Sequence, residues 1–326
     1  GCVESFTQAR VGTGQVGQCV RFALTYASGH GPSTIVGKFA SDDPTSRATG
    51  IAQNTYLKEV RFYQQLRPTV AISTPDLLFT DIDEETHEFC LMMEDLAPAE
   101  QGDQIRGCSV DQATLAATEL VKLHAPRWAD PSLADLLWLQ AGDPEEAAEI
   151  GSAFFGQLFP AFVDRYRSRL AGEHIVVGEK LQRNFKNWTL GYRGPATIIH
   201  RDYRLDNMLF GGARGVTVVD WQTPSLGAGA SDLAYFIGAG LLPDLRRSSE
   251  HDLVRTYHHG LCERGVTGYD FSDCWNDYRR YSFSGYIMAV VASMIVGQTQ
   301  RGDDMFMVMA GRHAQQVIDL DAYDFL

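Results

Sequence analysis

Four residues stand in an order that can do chemistry: His200, Asp202, Asn207 and Asp220. The stretch beginning at residue 197 reads TIIHRDYRLDNMLF and, after a short gap, VTVVDWQ and then SDLAYF. The first segment contains H-R-D-x-x-x-x-N, and the second is an apolar run that ends in Asp220. One carboxylate can take the proton of an attacking hydroxyl. An amide oxygen and a second carboxylate can hold magnesium. Phosphoryl transfer needs that set of groups, in that order.

The spacing dictates the elements that must carry these residues. Ile198 and Ile199 are β-branched and apolar, so they read as a buried strand. The chain leaves this strand at His200, and Asp202 falls at an exposed loop tip. Asp202 is the catalytic candidate, with His200 beside it, because a base must come within hydrogen-bond reach of its substrate. Asn207 precedes a second short strand, Met208-Leu209-Phe210, and Gly211-Gly212 reads as a tight turn. Residues 216–219 form a third strand, which delivers Asp220. Asn207 and Asp220 supply hard oxygen donors of the kind Mg²⁺ takes. Each of these residues alone would read equally well as a turn cap or a strand end; the ordered set argues for chemistry.

The first ninety or so residues read as strand-rich. Strands are expected at 5–11, 18–27, 33–39, 76–80 and 87–93, with one helix over 45–66 that stops before Pro68. Gly12, Gly14 and Gly17 form G-x-G-x-x-G between the first two strands, where glycine lets backbone amides approach phosphate oxygens. A dinucleotide fingerprint would put a helix after the third glycine. Here C-V-R-F-A-L follows and reads as a strand. Lys38 lies inside the apolar strand I-V-G-K-F and must find an anion or snorkel to water. Glu59, mid-helix in Y-L-K-E-V-R-F-Y, is its expected partner, and the pair would hold the nucleotide phosphates. A solvated helix face is the plain alternative for Glu59. L-M-M-E-D-L, residues 91–96, fits a strand entering a hinge, with the carbonyl of Glu94 and the amide of Leu96 as candidates for an adenine edge.

Composition bounds the function. The chain has 326 residues and a net charge of −13, with 44% hydrophobic and 21% charged residues. That suits an ordinary globular protein and disfavours nucleic acid as a partner. The six cysteines include no C-x-x-C pair, so reduced thiols and a cytoplasmic location are expected. His258, His259 and Cys262 read as an exposed helix face rather than a zinc site. The apolar run 286–296 is too short to span a bilayer and reads as a core helix. No secretory signal is expected, and the first residue is not Met, which leaves room for native residues ahead of it. Helices are expected at 110–124, 144–170 and 232–240.

Taken in order, E-V-R-F-Y, L-M-M-E-D-L, H-R-D-Y-R-L-D-N, V-D-W-Q and S-D-L-A-Y-F resemble the superfamily of aminoglycoside phosphotransferases and choline kinases. Within it the pattern is most similar to ecdysteroid-kinase-like small-molecule kinases and related bacterial proteins. The resemblance implies an α+β, bilobal protein-kinase-like fold, with an antiparallel sheet lobe and a larger, mainly helical lobe. It implies an ATP-binding lobe at 1–95 and a catalytic, acceptor-binding lobe at 96–326. It further implies ATP as donor, Asp202 as base, Asn207 and Asp220 as Mg²⁺ ligands, Lys38 with Glu59 on the phosphates, and Asp232 as a brace for the catalytic loop. The acceptor would be a small molecule bearing a hydroxyl. Arg201 stands where antibiotic kinases commonly carry glycine, which argues against an aminoglycoside. G-A-G-A-S-D replaces the G-D-P common before the bracing aspartate.

A protein Ser/Thr kinase shares the core motifs, but D-F-G and A-P-E are missing and the path from Asp220 to Asp232 is short. A catalytically silent nucleotide-binding module would need a lost base, lysine or metal ligand, and all are present. Trp128, Trp138, Phe154, Phe155, Trp188, Trp221 and Trp275 read as core residues before they read as pocket lining.

Overall fold

The computed structural model describes residues 1–12, 16–140 and 142–326. The first elements are β1 (Cys2–Val11), β2 (Gly17–Ser28), β3 (Thr34–Ala40), α1 (Pro44–Ala52), α2 (Thr55–Arg61), β4 (Leu77–Ile82), β5 (Phe89–Glu94) and β6 (Glu100–Gln101). Then come α3 (Val110–His124), α4 (Pro144–Tyr166), α5 (Gly172–Leu190), β7 (Thr197–Ile199), β8 (Met208–Phe210), β9 (Val216–Val218) and β10 (Ser225–Gly227). The chain closes with α6 (Gly229–Gly240), α7 (Pro243–Glu263), α8 (Phe271–Arg280), α9 (Phe283–Ile295) and α10 (Gln300–Asp319). The fold is α+β. It divides into two compact units, Gly1–Glu100 with Leu209–Pro224, and Gln101–Met208 with Ser225–Leu326.

In the first unit, five antiparallel strands run in the order β1-β2-β3-β5-β4. Register sets Cys19 opposite Lys38, and Lys38 opposite Leu91. The expected single helix over 45–66 is two helices. Asn54 takes a left-handed conformation (φ 55°) between them, which asparagine tolerates better than most residues. Gly50 allows the break: a Cβ there would meet the ring of Tyr56 at 2.6 Å. Residues 62–66 then widen into a π-turn.

The second unit is built on helices whose ends are well marked. Ser109 caps α3 and forms a reciprocal capping box with Gln112. Asp143 caps α4, and Pro144 begins it. The apolar run at 286–296 lies largely in α9, which packs with α4, α5 and α10 in one core containing Phe155, Phe159, Trp188, Phe283 and Tyr286. Expected helices at 110–124, 144–170 and 232–240 correspond to α3, α4 with a short 3₁₀ turn after it, and α6.

Candidate active site

In the second unit, β7 ends at Ile199 and the chain turns sharply. Arg201 sits at φ 70°, a backbone conformation that costs a long side chain energy. Asp232, in the first turn of α6, holds this turn. One of its oxygens accepts the His200 N–H at 2.6 Å and the other accepts the Arg201 N–H at 2.8 Å. His124, at the end of α3, approaches Asp232 at 3.5 Å through Nε2. His124 Nδ1 lies 2.8 Å from the Tyr257 hydroxyl. His200 itself is wholly buried, and its Nδ1 accepts the Asp202 N–H at 3.3 Å. That places His200 in the support of the loop rather than at its reacting surface.

Asp202 is not at an exposed tip; its side chain is only 21% exposed. Arg204 Nε donates to both carboxylate oxygens, at 3.0 and 3.1 Å. The Tyr235 hydroxyl donates to Oδ1 at 2.8 Å, and Asn207 Nδ2 donates to Oδ2 at 2.9 Å. Asn207 Nδ2 also donates to the Asp202 carbonyl at 2.9 Å, which leaves its Oδ1 as the ligand-capable atom. Arg204 further bonds Asp206 at 3.0 Å, and Arg301 contacts both oxygens of Asp206 at 3.2 Å. Burial alone would lower the pKa of Arg204, but Asp202 and Asp206 outweigh it and hold the guanidinium charged. Burial likewise opposes ionisation of Asp206, yet Arg301 and Arg204 keep it below the usual carboxylate range.

In the first unit, Lys38 is 7% exposed and Glu59 1%. Lys38 Nζ contacts Glu59 at 2.7–2.8 Å and Asp220 Oδ1 at 2.7 Å. Burial would lower the pKa of the lysine, but Asp220 and Glu59 reverse this and raise it. Burial pushes Glu59 above the usual range despite Lys38. Asp220 stands at φ 68° and its side chain is 37% exposed, so one carboxylate oxygen holds Lys38 while the group still reaches solvent. Gly12 closes β1 at φ 74°, and Gly17 opens β2. A Cβ on Gly17 would lie 3.3 Å from Lys38 Cε, so glycine lets that strand run close over the lysine. Gly14 lies outside the described residues. Glu94 turns its side chain to Arg214 at 2.7 Å and to the Asp76 amide at 3.1 Å. The Leu96 carbonyl accepts from Ala99 at 2.9 Å.

Several participants were not read from the sequence: Arg204, Asp206, Tyr235, Arg301 and His124. Arg204 carried a usable signal, because a cation two residues from a carboxylate on one loop can fold back on it. Asp206 lies on the same loop, and Tyr235, Arg301 and His124 lie on distant helices. Of the aromatic candidates, Trp221, Phe155 and Trp188 are core, and Trp221 stacks on Phe62 with centroids 3.7 Å apart. His258 Nε2 lies 3.0 Å from the Tyr269 carbonyl, and His259 pairs with Glu263 at 3.2 Å. Among the described residues, no helix is long and apolar enough to cross a membrane.

Solved structures share this fold. A choline kinase from Cryptosporidium parvum aligns over 98% of this chain and 91% of its own, with a TM-score of 0.60 and 8% identity. A spectinomycin phosphotransferase, solved with ADP and spectinomycin, aligns over 99% and 94%, with a TM-score of 0.54 and 13% identity. A putative aminoglycoside phosphotransferase from Ralstonia eutropha aligns over 98% and 94%, with a TM-score of 0.54 and 15% identity. At these identities the likeness speaks for the fold. Mouse acyl-CoA dehydrogenase family member 10 is 26% identical over an alignment of 188 residues, and the match covers 45% of this chain but only 17% of that longer protein. The model of the phosphotransferase enzyme family matches residues 23–281, most of the sequence, and the chain belongs to that family.

Proposed function

We propose that the chain is an ATP-dependent kinase that transfers the γ-phosphoryl group to a hydroxyl of a small molecule, with Asp202 as the base. The observation that carries this reading is the setting of Asp202. It is half-buried and gripped by Arg204, Tyr235 and Asn207. Its loop is fixed at the backbone by Asp232. A base held in one orientation needs no rearrangement at the moment of reaction. Asp202 takes the proton of the acceptor hydroxyl. The acceptor oxygen forms its bond to the γ-phosphorus as the bond to the leaving ADP oxygen breaks, and the proton passes from Asp202 to solvent.

The first unit takes the nucleotide, with Gly12, Gly14 and Gly17 at the phosphates and Glu94 and Leu96 at the adenine edge. Lys38 binds phosphate oxygens while Glu59 keeps it in place. The ADP in the spectinomycin kinase structure supports a nucleotide donor. The residues also fit magnesium. Asn207 has its nitrogen committed and its oxygen available, and Asp220 gives one oxygen to Lys38 while its carboxylate reaches solvent. Mg²⁺ held by Asn207 and Asp220 would neutralise charge on the phosphates. The second unit takes the acceptor. The test is incubation with Mg·ATP and a small-molecule extract, with products identified by their phosphate mass increment. A phosphorylated small product that disappears with Asp202→Asn supports the reading. Phosphorylation of generic proteins alone, dependent on Asp202, refutes it in favour of a protein kinase.

A further inference from the structure

Helix α6 grips the catalytic loop twice, one turn apart. Asp232 takes the backbone amides of residues 200 and 201, and Tyr235, three residues on, reaches the side chain of residue 202. Residues three apart lie on one helix face, so a single element fixes both the loop and its reacting group. The function proposed above counts Tyr235 among the groups that grip Asp202 but does not distinguish its part from that of Arg204.

We propose that Tyr235 is a positioning residue that sets the plane of the Asp202 carboxylate for proton transfer; this rests on Asp202 being the base. The lone pairs show how. Tyr235 donates to Oδ1 and Asn207 to Oδ2, one donor on each oxygen. The Arg204 Nε–H is a single proton shared between the two oxygens. Arg204 therefore supplies charge, but a bond shared so evenly restrains rotation of the carboxylate weakly. The two one-sided donors fix it. Tyr235 is a dependable donor, because burial holds its hydroxyl protonated and Asp202 adds to the effect.

The ring of Tyr235 is itself seated by a purpose-shaped column. It packs against the buried imidazole of His313 on α10, with centroids 5.7 Å apart. His313 fits only because Gly238 and Gly285 lack side chains; a Cβ at either position would overlap its ring. His313 Nδ1 is held by Gln316 at 3.2 Å, and Gln316 in turn bonds the Ala234 carbonyl on α6 at 3.3 Å. The helices α6, α9 and α10 thus converge on one phenol, and that phenol touches one side-chain oxygen on the loop.

The test is Tyr235→Phe, which keeps the ring and removes the hydroxyl. The probe reaction is Mg·ATP hydrolysis without acceptor, read as phosphate release, together with a crystal structure of the variant. The expected result is a kcat lowered roughly ten- to a hundredfold, the size of one hydrogen bond to a charged group, with KM for ATP unchanged. The crystal structure should show the Asp202 carboxylate rotated or split between two positions. An Asp202 carboxylate that keeps its plane in the variant overturns the proposal, whatever the hydrolysis rate. So does an unchanged kcat in a protein where Asp202→Asn is inactive. If Asp202→Asn retains full activity, the assignment of the base fails and this proposal falls with it.

Discussion

The buried charges of the two units are balanced differently. In the first unit buried Lys38 stands between buried Glu59 and the partly exposed Asp220. In the second, Asp202, Arg204, Asp206 and Arg301 alternate in sign along a half-buried chain. In the first, burial works against the charge of Glu59 and raises its pKa despite Lys38. A lysine held between two carboxylates differs from a carboxylate with a donor on each oxygen, and the function proposed above gives the first to the nucleotide and the second to proton transfer.

The sharpest way to break the comparison is at the group around Lys38. Asp220→Ala should abolish phosphoryl transfer, because it removes a charged metal ligand together with a partner of Lys38. Activity with normal magnesium dependence in that variant would move the metal elsewhere. Asp202→Asn keeps the shape of the balanced network and should lower kcat by about 10²–10⁴-fold, with nucleotide affinity nearly intact by calorimetry. Similar affinity losses in both variants would erase the distinction drawn here.

Lys38→Ala leaves Glu59 buried without its cation. Chemical denaturation should show a loss of about 3 kcal/mol, the cost of an uncompensated buried charge. Arg301→Ala, at the half-exposed end of the second network, should cost less than about 1 kcal/mol. Equal costs would mean that burial does not set the difference.

The smallest effect concerns acidity. Burial lowers His313 to about 4 from the ordinary 6.5, while burial raises Asp277 to about 6 from 3.8. His313 folds neutral, so its contribution is present above pH 6.5 and is lost as pH falls towards 4. The contribution of Asp277 is present below its unfolded value and is lost as pH rises through 6. The two slopes oppose each other between pH 4 and 6. Melting His313→Gln and Asp277→Asn variants at pH 7 and pH 5 should separate them. Relative to wild type, acidification should favour the first variant and penalise the second.

Much of the layout was legible in the sequence. Strands and helices announced themselves by apolar period, caps and glycine turns, and these depend on neighbours within a few residues. The catalytic segment was legible for the same reason, because His200 to Asp220 is one loop and one hairpin. The break at Asn54 was not, since apolar period alone carries a helix through a single left-handed residue.

What tertiary structure alone decided is which side chain meets which. Asp220 reaches Lys38 across 182 residues, Tyr235 reaches Asp202 from another helix, and Arg301 reaches Asp206 across 95. Arg201 holds a left-handed turn only because Asp232 takes its amide. Sequence fixes the identity and local conformation of such groups, because short-range sterics and hydrogen bonds act along the chain. Their partners depend on burial, where a charge or a phenol must find whatever packing brings within about 3 Å.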